Sequence, residues 1–152
     1  MARQNPLETA IQDDLLDKLI GKWHIDRKFA NRDMENDAVV TWELAHHYLR
    51  IAMDDVARPS MYAAHVYIGF ERPMSRYVIH WMDVTSGSGP DFLGYGTRQA
   101  DSITFEWKDG DGTLMNTFTW HSQDDSWTSK IEQTKPDGTW ETFCVDTYRR
   151  AE

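Results

Sequence analysis

The hydrophobic pattern of the chain changes its period once, near Gly21. Before that residue, apolar side chains recur at helical spacing, at Leu7, Ile11, Leu15 and Leu19. Asn5 and Pro6 precede them as an N-cap and a first helical residue, and Gly21 supplies a left-handed stop. The pattern therefore predicts a helix over about residues 6–20.

From Gly21 onward apolar and polar residues alternate, which predicts β-strands with one buried and one exposed face. The candidate strands cover residues 22–29, 37–44, 47–55, 62–71, 76–84, 91–98, 101–108, 113–121, 126–134 and 139–149. Short turns separate them, for example at residues 109–112, and short turns join antiparallel neighbours. The sequence thus predicts one domain over 1–152, with a helix at about 6–20 and a barrel at about 21–150.

The tryptophans are expected to share one face of this sheet. Side chains alternate across a strand, and residues opposite each other in a hairpin lie on the same face. If Trp42 points inward, Leu49 across the turn at Ala45-His46 does so too. The same parity, carried through the later turns, places inward the residues Trp81, Phe105, Trp107, Asn116, Phe118, Trp120, Trp127, Ser129, Trp140, Thr142 and Asp146.

A sheet of about ten antiparallel strands with one dry face predicts an all-β, up-and-down barrel. A barrel of about eight strands is just filled by its own side chains, so about ten strands leave room for a ligand. Aromatic rings with a few polar groups are typical of a small-molecule pocket. The residues expected to bind the ligand are Trp42, Trp81, Trp107, Trp120, Trp127, Phe105, Phe118, Asn116 and Arg27. The alternative is that the indoles simply fill the barrel.

Charge and composition narrow the choice of partner. Lys and Arg total 16 against 25 Asp and Glu, a formal net charge of -9, which disfavours nucleic acid and anionic membranes. The single cysteine, Cys144, excludes an internal disulfide and suits a reducing cytoplasm. The first residues lack the apolar stretch of a signal peptide, and no apolar run is long enough to span a bilayer. We therefore expect a cytoplasmic protein that binds a small apolar or aromatic molecule.

Two other functions stay open at this point. Asp83 and Asp146 have inward parity, so either could serve an enzyme as general base or simply accept hydrogen bonds from N–H groups. Alternatively, a packed barrel could act as a structural module through its outer face. Apolar residues there favour a homodimer interface or the seat of the N-terminal helix: Tyr67, Val78, His80, Met82, Leu93 and Tyr95. The histidine spacings match no metal motif, and no cofactor is expected.

Gly21-Lys22-Trp23 at the head of the first predicted strand resembles the Gly-x-Trp signature of the lipocalin and calycin barrels. The resemblance implies that the tryptophan closes the barrel floor and that a basic residue of the last strand, here Arg150, lies across it. The segments 19–23, 42–49, 68–71 and 77–83, in this order and spacing, look similar to a bacterial family of uncharacterised lipocalin-like domains. This family implies a barrel with an interior pocket over residues 15–150, with no established substrate or catalytic residues.

A neighbouring branch, the nitrobindin-like haem barrels, needs an inward histidine as iron ligand. His24, His65, His80 and His121 all have outward parity, and only His47 could look inward, from the rim. The sequence therefore disfavours haem.

Overall fold

The computed structural model describes residues 5–85, 93–109 and 112–152. These residues form ten strands, β1 to β10, at Gly21–Phe29, Asp33–Glu43, Tyr48–Asp55, Ala63–Glu71, Arg76–Asp83, Leu93–Gln99, Ser102–Asp109, Gly112–His121, Ser126–Thr134 and Trp140–Arg150. Each strand pairs antiparallel with the next, and β1 pairs with β10 to close the barrel. The predicted all-β barrel of about ten strands is confirmed. Residues 91 and 92 of the predicted sixth strand, and 110 and 111 of a predicted turn, lie outside the described residues.

The registers follow the parity that the tight turns predict. Trp42 lies opposite Leu49, and Val66 lies opposite Trp81, as expected for residues that share the inner face. The turn after β2 uses four residues, 44–47, instead of the predicted two, but an even number preserves the pairing. Parity across short loops therefore suffices to orient most of the barrel.

Trp140 and Thr142 are exceptions to this parity. The ladder between β9 and β10 shifts its register between Thr142 and Cys144. Such a β-bulge inserts one residue, which turns the side chains before it to the opposite face. Thr142 therefore lies opposite Glu132 on the outside, and Trp140 is 44% exposed. The predicted inward orientation of Trp140 and Thr142 is wrong.

The prediction of one continuous N-terminal helix over residues 6–20 is also wrong. The chain forms a 3₁₀ turn at Pro6–Thr9 and a short helix, α1, at Asp14–Asp17. Each begins at its own N-cap, because the side chain of Asn5 accepts a backbone N–H of the first and that of Asp13 accepts two of the second. In the described part of the chain, neither segment has the length and apolar character that crossing a bilayer requires.

Helix α1 fills one end of the barrel, which we call the closed end. The apolar side chains inserted there are Leu15, Leu16 and Leu19. Polar groups of the wall hold the helix: Tyr77 Oη donates to Asp13 at 2.5 Å, Arg98 pairs with Asp14 at 2.7 Å, and Trp42 Nε1 donates to Asp17 at 2.9 Å. The helix is thus part of the barrel core, and it does not cover the outer apolar face.

Arg150, at the end of β10, lies across the indole of Trp23 at the closed end. Its guanidinium carbon is 3.9 Å from the ring centre, a cation–π contact. Its Nη1 donates to Ile20 O at 2.6 Å and its Nη2 to Lys18 O at 2.7 Å, so it also satisfies carbonyls that follow α1. Gly21 has a φ of 133°, and a Cβ atom there would stand 2.5 Å from Arg150 Nη1. Glycine therefore makes room for the arginine.

Candidate functional site

A cavity of about 270 Å³ opens at the barrel end opposite α1, which we call the open end. Odd-numbered strands run towards this end, so β1 reaches it at Phe29 and β5 at Asp83. The described residues that line the cavity are Arg27, Phe29, Arg32, Met34, Tyr62, Trp81, Asp83, Thr85, Trp107, Leu114, Ile131, Gln133 and Phe143. The wall is mostly apolar and aromatic, with a few charged side chains among the rings, as in small-molecule sites.

Arg27 is the charged group deepest in this wall, with only 3% of its surface exposed. Aromatic rings surround its guanidinium carbon, whose distance to the ring centres is 5.3 Å for Phe29, 5.0 Å for Tyr62 and 5.9 Å for Trp81. Burial, the largest single influence, would by itself lower the pKa of Arg27, but the Asp146 carboxylate together with Tyr62 and Cys144 holds that pKa above its ordinary value. The cavity therefore contains a permanent cation enclosed by rings.

Asp146 supplies the counter-charge of Arg27 from β10. The two residues are cross-strand partners in the β1–β10 ladder, and Arg27 Nε donates to Asp146 Oδ1 at 2.9 Å. Asp146 is fully buried, and Cys144 Sγ donates to the same oxygen at 3.0 Å. Burial, and then the Asp146 charge, raise the pKa of the Cys144 thiol, which keeps it protonated as a donor. Asp146 is thus one half of a buried ion pair, and its role as a general base stays a prediction.

Several buried polar atoms near this pair have no hydrogen-bond partner among the described residues. They are Arg27 Nη1, Asp146 Oδ2, Tyr148 Oη and Asn116 Oδ1. Such atoms are uncommon in a protein interior, because each costs about 1–3 kcal/mol in lost solvation. They belong to β1, β10 and β8 of the inner wall, so the barrel interior retains unused hydrogen-bonding capacity.

Asp83, the other predicted general base, lies at the mouth with both carboxylate oxygens engaged. Its Oδ2 accepts from Trp81 Nε1 at 3.0 Å and from Tyr62 Oη at 3.5 Å. Its Oδ1 accepts the backbone N–H and the hydroxyl of Thr85, both at 2.9 Å. Asp83 therefore orients two aromatic residues of the wall, which is the alternative role expected from the sequence.

Arg32 is the second cation of the cavity, and it lies exposed at the mouth. Its guanidinium carbon is 5.0 Å from the centre of the Phe29 ring, on which Arg27 also lies. Phe29 N donates to Arg32 O at 2.9 Å, which fixes the turn between β1 and β2. The turn thus places the charge of Arg32 over the Phe29 ring at the mouth, and β1 places the charge of Arg27 deeper in the barrel.

The structure brings three of the predicted binding residues to the cavity: Arg27, Trp81 and Trp107. The others lie elsewhere in the barrel. Phe105, Phe118 and Asn116 are buried between the cavity and the closed end, and Trp42, Trp120 and Trp127 lie at the closed end. The two expectations, an open pocket and a barrel filled by its rings, therefore each describe one half of the molecule. Ligand contact by any of these residues stays a prediction.

The sequence reasoning did not include several cavity residues, notably Tyr62, Phe29 and Arg32. The direction of each strand could have identified them. Parity tells which face of the sheet a side chain lies on, but only the strand direction tells how far along the barrel axis it lies. Trp81 and Trp107 lie near the ends of odd-numbered strands, which run to the open end. By the same rule, Phe29 ends β1 at that mouth.

On the outer face, His24 lies among three carboxylates. Its Nδ1 is 3.2 Å from Asp37 Oδ1, and its Nε2 is 3.6 Å from Asp26 Oδ1 and 3.8 Å from Glu35 Oε1. The hydrogen bond with Asp37, more than the other two charges, raises the pKa of His24. We therefore interpret this cluster as ion pairing by the imidazolium.

The predicted outer apolar patch is contiguous in the described residues, since Tyr67 lies opposite His80 and His80 opposite Leu93. These side chains are half-buried. Because α1 sits at the closed end, it does not cover the patch. The homodimer stays a prediction.

A scan against protein-family models gives no match for this chain, and a search of curated proteins gives no relative.

Proposed function

We propose that the protein is a binding barrel for a compact, largely apolar or aromatic molecule held in the cavity at the open end. The observation that carries this proposal is the wall itself, in which Phe29, Tyr62 and Trp81 surround an almost fully buried Arg27. Burying a cation costs free energy, so a barrel needed only for stability would be served better by an apolar residue there.

The size of the cavity supports a small ligand. Its volume of about 270 Å³ lies just below the range of about 300–1,000 Å³ found for pockets that hold drug-sized molecules. One or two fused rings with a short substituent suit this space. The packed closed half supports the same idea, because a rigid floor holds the open half in a fixed shape without a ligand.

We also propose that the chain is related to the lipocalin-like barrels. Arg150 lies across Trp23 at the closed end, and Gly21 gives it room, which is the arrangement that the resemblance implies. The resemblance implies a barrel with an interior pocket, and the cavity at the open end agrees with that expectation.

A blocked-cavity experiment tests the proposed function. Leu114→Trp puts an indole into the cavity in place of a half-buried lining side chain. Leu7→Trp is the matched control, because Leu7 is 69% exposed in the N-terminal 3₁₀ turn. Ligand-observed NMR with indole and a panel of one- and two-ring aromatic and short aliphatic compounds should give hits for the wild type and Leu7→Trp. For Leu114→Trp these hits should weaken at least roughly tenfold.

The proposal fails if no compound of the panel binds the wild type. It also fails if the hits bind Leu114→Trp as well as they bind Leu7→Trp, since they would then lie outside the cavity. Circular dichroism and a thermal melt of both variants establish that each is folded.

A further inference from the structure

The charges of the cavity select among the ligands that its shape would admit. We infer that the ligand carries a carboxylate, which Arg27 and Arg32 receive, so that the natural ligand class is a small aromatic acid. This inference rests on the proposed function and names the chemical group that the apolar site recognises.

The first support is the hydrogen-bonding state of Arg27. Its Nε is committed to Asp146, and its Nη2 lies 4.0 Å from Cys144 Sγ. Its Nη1 is buried and has no partner of good hydrogen-bond geometry in the described part of the chain, although the guanidinium also interacts with the Tyr62 hydroxyl. A guanidinium offers a planar set of donors that matches a carboxylate, and a charged donor left unused in a dry site is costly.

The second support is the balance of charges that a ligand would meet. Two cations, Arg27 and Arg32, line the cavity against one carboxylate, Asp83. The oxygens of Asp83 accept hydrogen bonds from Trp81 Nε1 and from Thr85, which turn them towards the wall. Asp146 pairs with Arg27 Nε from the side of β10 and does not line the cavity. A protein with a net charge of -9 that places two arginines at one aromatic mouth favours an anion there.

The third support is that the rings leave no cage for a cationic ligand. Phe29, Tyr62 and Trp81 already surround the guanidinium of Arg27 within 6 Å. An ammonium group placed among the same rings would meet a like charge in a site shielded from water. A neutral amide would meet donors but would lack the charge that strengthens a hydrogen bond from arginine. The expected order of affinity is therefore acid, then amide, then amine.

Three compounds with the same ring and side-chain length test this order: indole-3-acetate, indole-3-acetamide and tryptamine. Isothermal titration at pH 7.5 with the wild type should give at least about tenfold tighter binding for the acid than for the amide, and the weakest binding for the amine. Leu114→Trp should abolish the signal of all three if they use the cavity.

Variants then assign the preference to its residues. Arg32→Gln should reduce the ratio of acid to amide affinity about threefold or more, because Arg32 is exposed and its charge is screened. Arg149→Gln, which removes the same charge from the closed end, should leave the ratio unchanged. Arg27→Met combined with Asp146→Asn removes the buried pair without leaving a lone charge, and should lower the ratio to the roughly threefold that Arg32 supplies.

Different failures have different meanings. Equal affinity for acid and amide, or tightest binding of the amine, overturns the carboxylate inference and leaves the proposed function standing. The inference also falls if indole binds in the cavity while none of the three substituted indoles does. If neither indole nor any panel compound binds, the proposed function itself is wrong. An acid-to-amide ratio as high in the Arg27→Met/Asp146→Asn variant as in the wild type overturns the role of Arg27 in the inference.

Discussion

The buried pair of Arg27 and Asp146 should dominate the stability of the open half of the barrel. Asp146→Asn keeps the shape of the side chain but leaves the guanidinium, 3% exposed, without its counter-charge. Charges about 4 Å apart attract by about 4 kcal/mol at an effective dielectric constant of about 20. Removing one partner of a buried pair typically costs about 3–5 kcal/mol. Since a domain of this kind is stable by about 5–15 kcal/mol, the variant should still fold in water.

Urea denaturation at pH 7, extrapolated to water, measures this loss. The matched control is Asp125→Asn, the same substitution in the ion pair that Asp125 makes with Arg150 at 3.2 Å. Both groups of that pair are exposed, so we expect a loss below about 1 kcal/mol. Combining Arg27→Met with Asp146→Asn should restore at least about 2 kcal/mol relative to Asp146→Asn, because no buried charge is left alone.

Two results would refute this reasoning. One is a loss for Asp146→Asn no larger than that for Asp125→Asn, which would mean that solvent reaches the pair. The other is a double variant that is less stable than Asp146→Asn, which would mean that Arg27 stabilises the barrel through its packing against the rings and not through its partner.

Two further predictions concern the closed end and the outer face. Gly21→Ala should lower the free energy of unfolding by at least about 1 kcal/mol more than Gly138→Ala. Both glycines have positive φ, but an added Cβ displaces Arg150 only at Gly21, because nothing lies within 4 Å of a Cβ at Gly138. Equal losses of unfolding free energy in urea titrations would contradict this account. His24, whose pKa is raised above 6.5 mainly by its hydrogen bond with Asp37, should stabilise the fold fully below about pH 6.5 and lose this effect as the pH rises through the raised value. His24→Gln should therefore cost up to about 1 kcal/mol at pH 6 and less at pH 9. A loss for His24→Gln that is independent of pH would disprove the assignment.

The barrel could be predicted from the sequence because its information is local. A turn with an even number of residues fixes the parity of the next strand, as it does for Trp42 and Leu49, and an error of two residues in the turn leaves that parity unchanged. The bulge in β10 breaks this chain of inference. Phe143, Cys144 and Val145 are all apolar, so the alternation is interrupted at the bulge, but an apolar run does not by itself show that one residue is inserted.

The interruption of the N-terminal helix and the position of the cavity could not be predicted from the local pattern that predicted the barrel. Asp13 is the N-cap of α1, but it lies within a run of apolar residues at helical spacing. That spacing predicts one continuous helix and does not show that a second helix begins at Asp14. The cavity depends on the height of each ring along the barrel axis, which parity does not give. Trp107 and Trp127 share the inner face but lie at opposite ends. Which end stays open is decided by α1, whose place is set by long-range contacts such as Arg98 with Asp14.

The order of the strands has a consequence for synthesis on the ribosome. Every ladder of the barrel joins sequence neighbours except the one between β1 and β10. Hairpins can form one after another as the polypeptide emerges, but β1 keeps an unpaired edge until β10 has left the exit tunnel. Arg150, which ends β10, then donates hydrogen bonds to the carbonyls of Lys18 and Ile20. Nascent chains stalled before that point therefore expose the unpaired edge of β1 to neighbouring polypeptides and to chaperones, and the emergence of β10 removes that exposure.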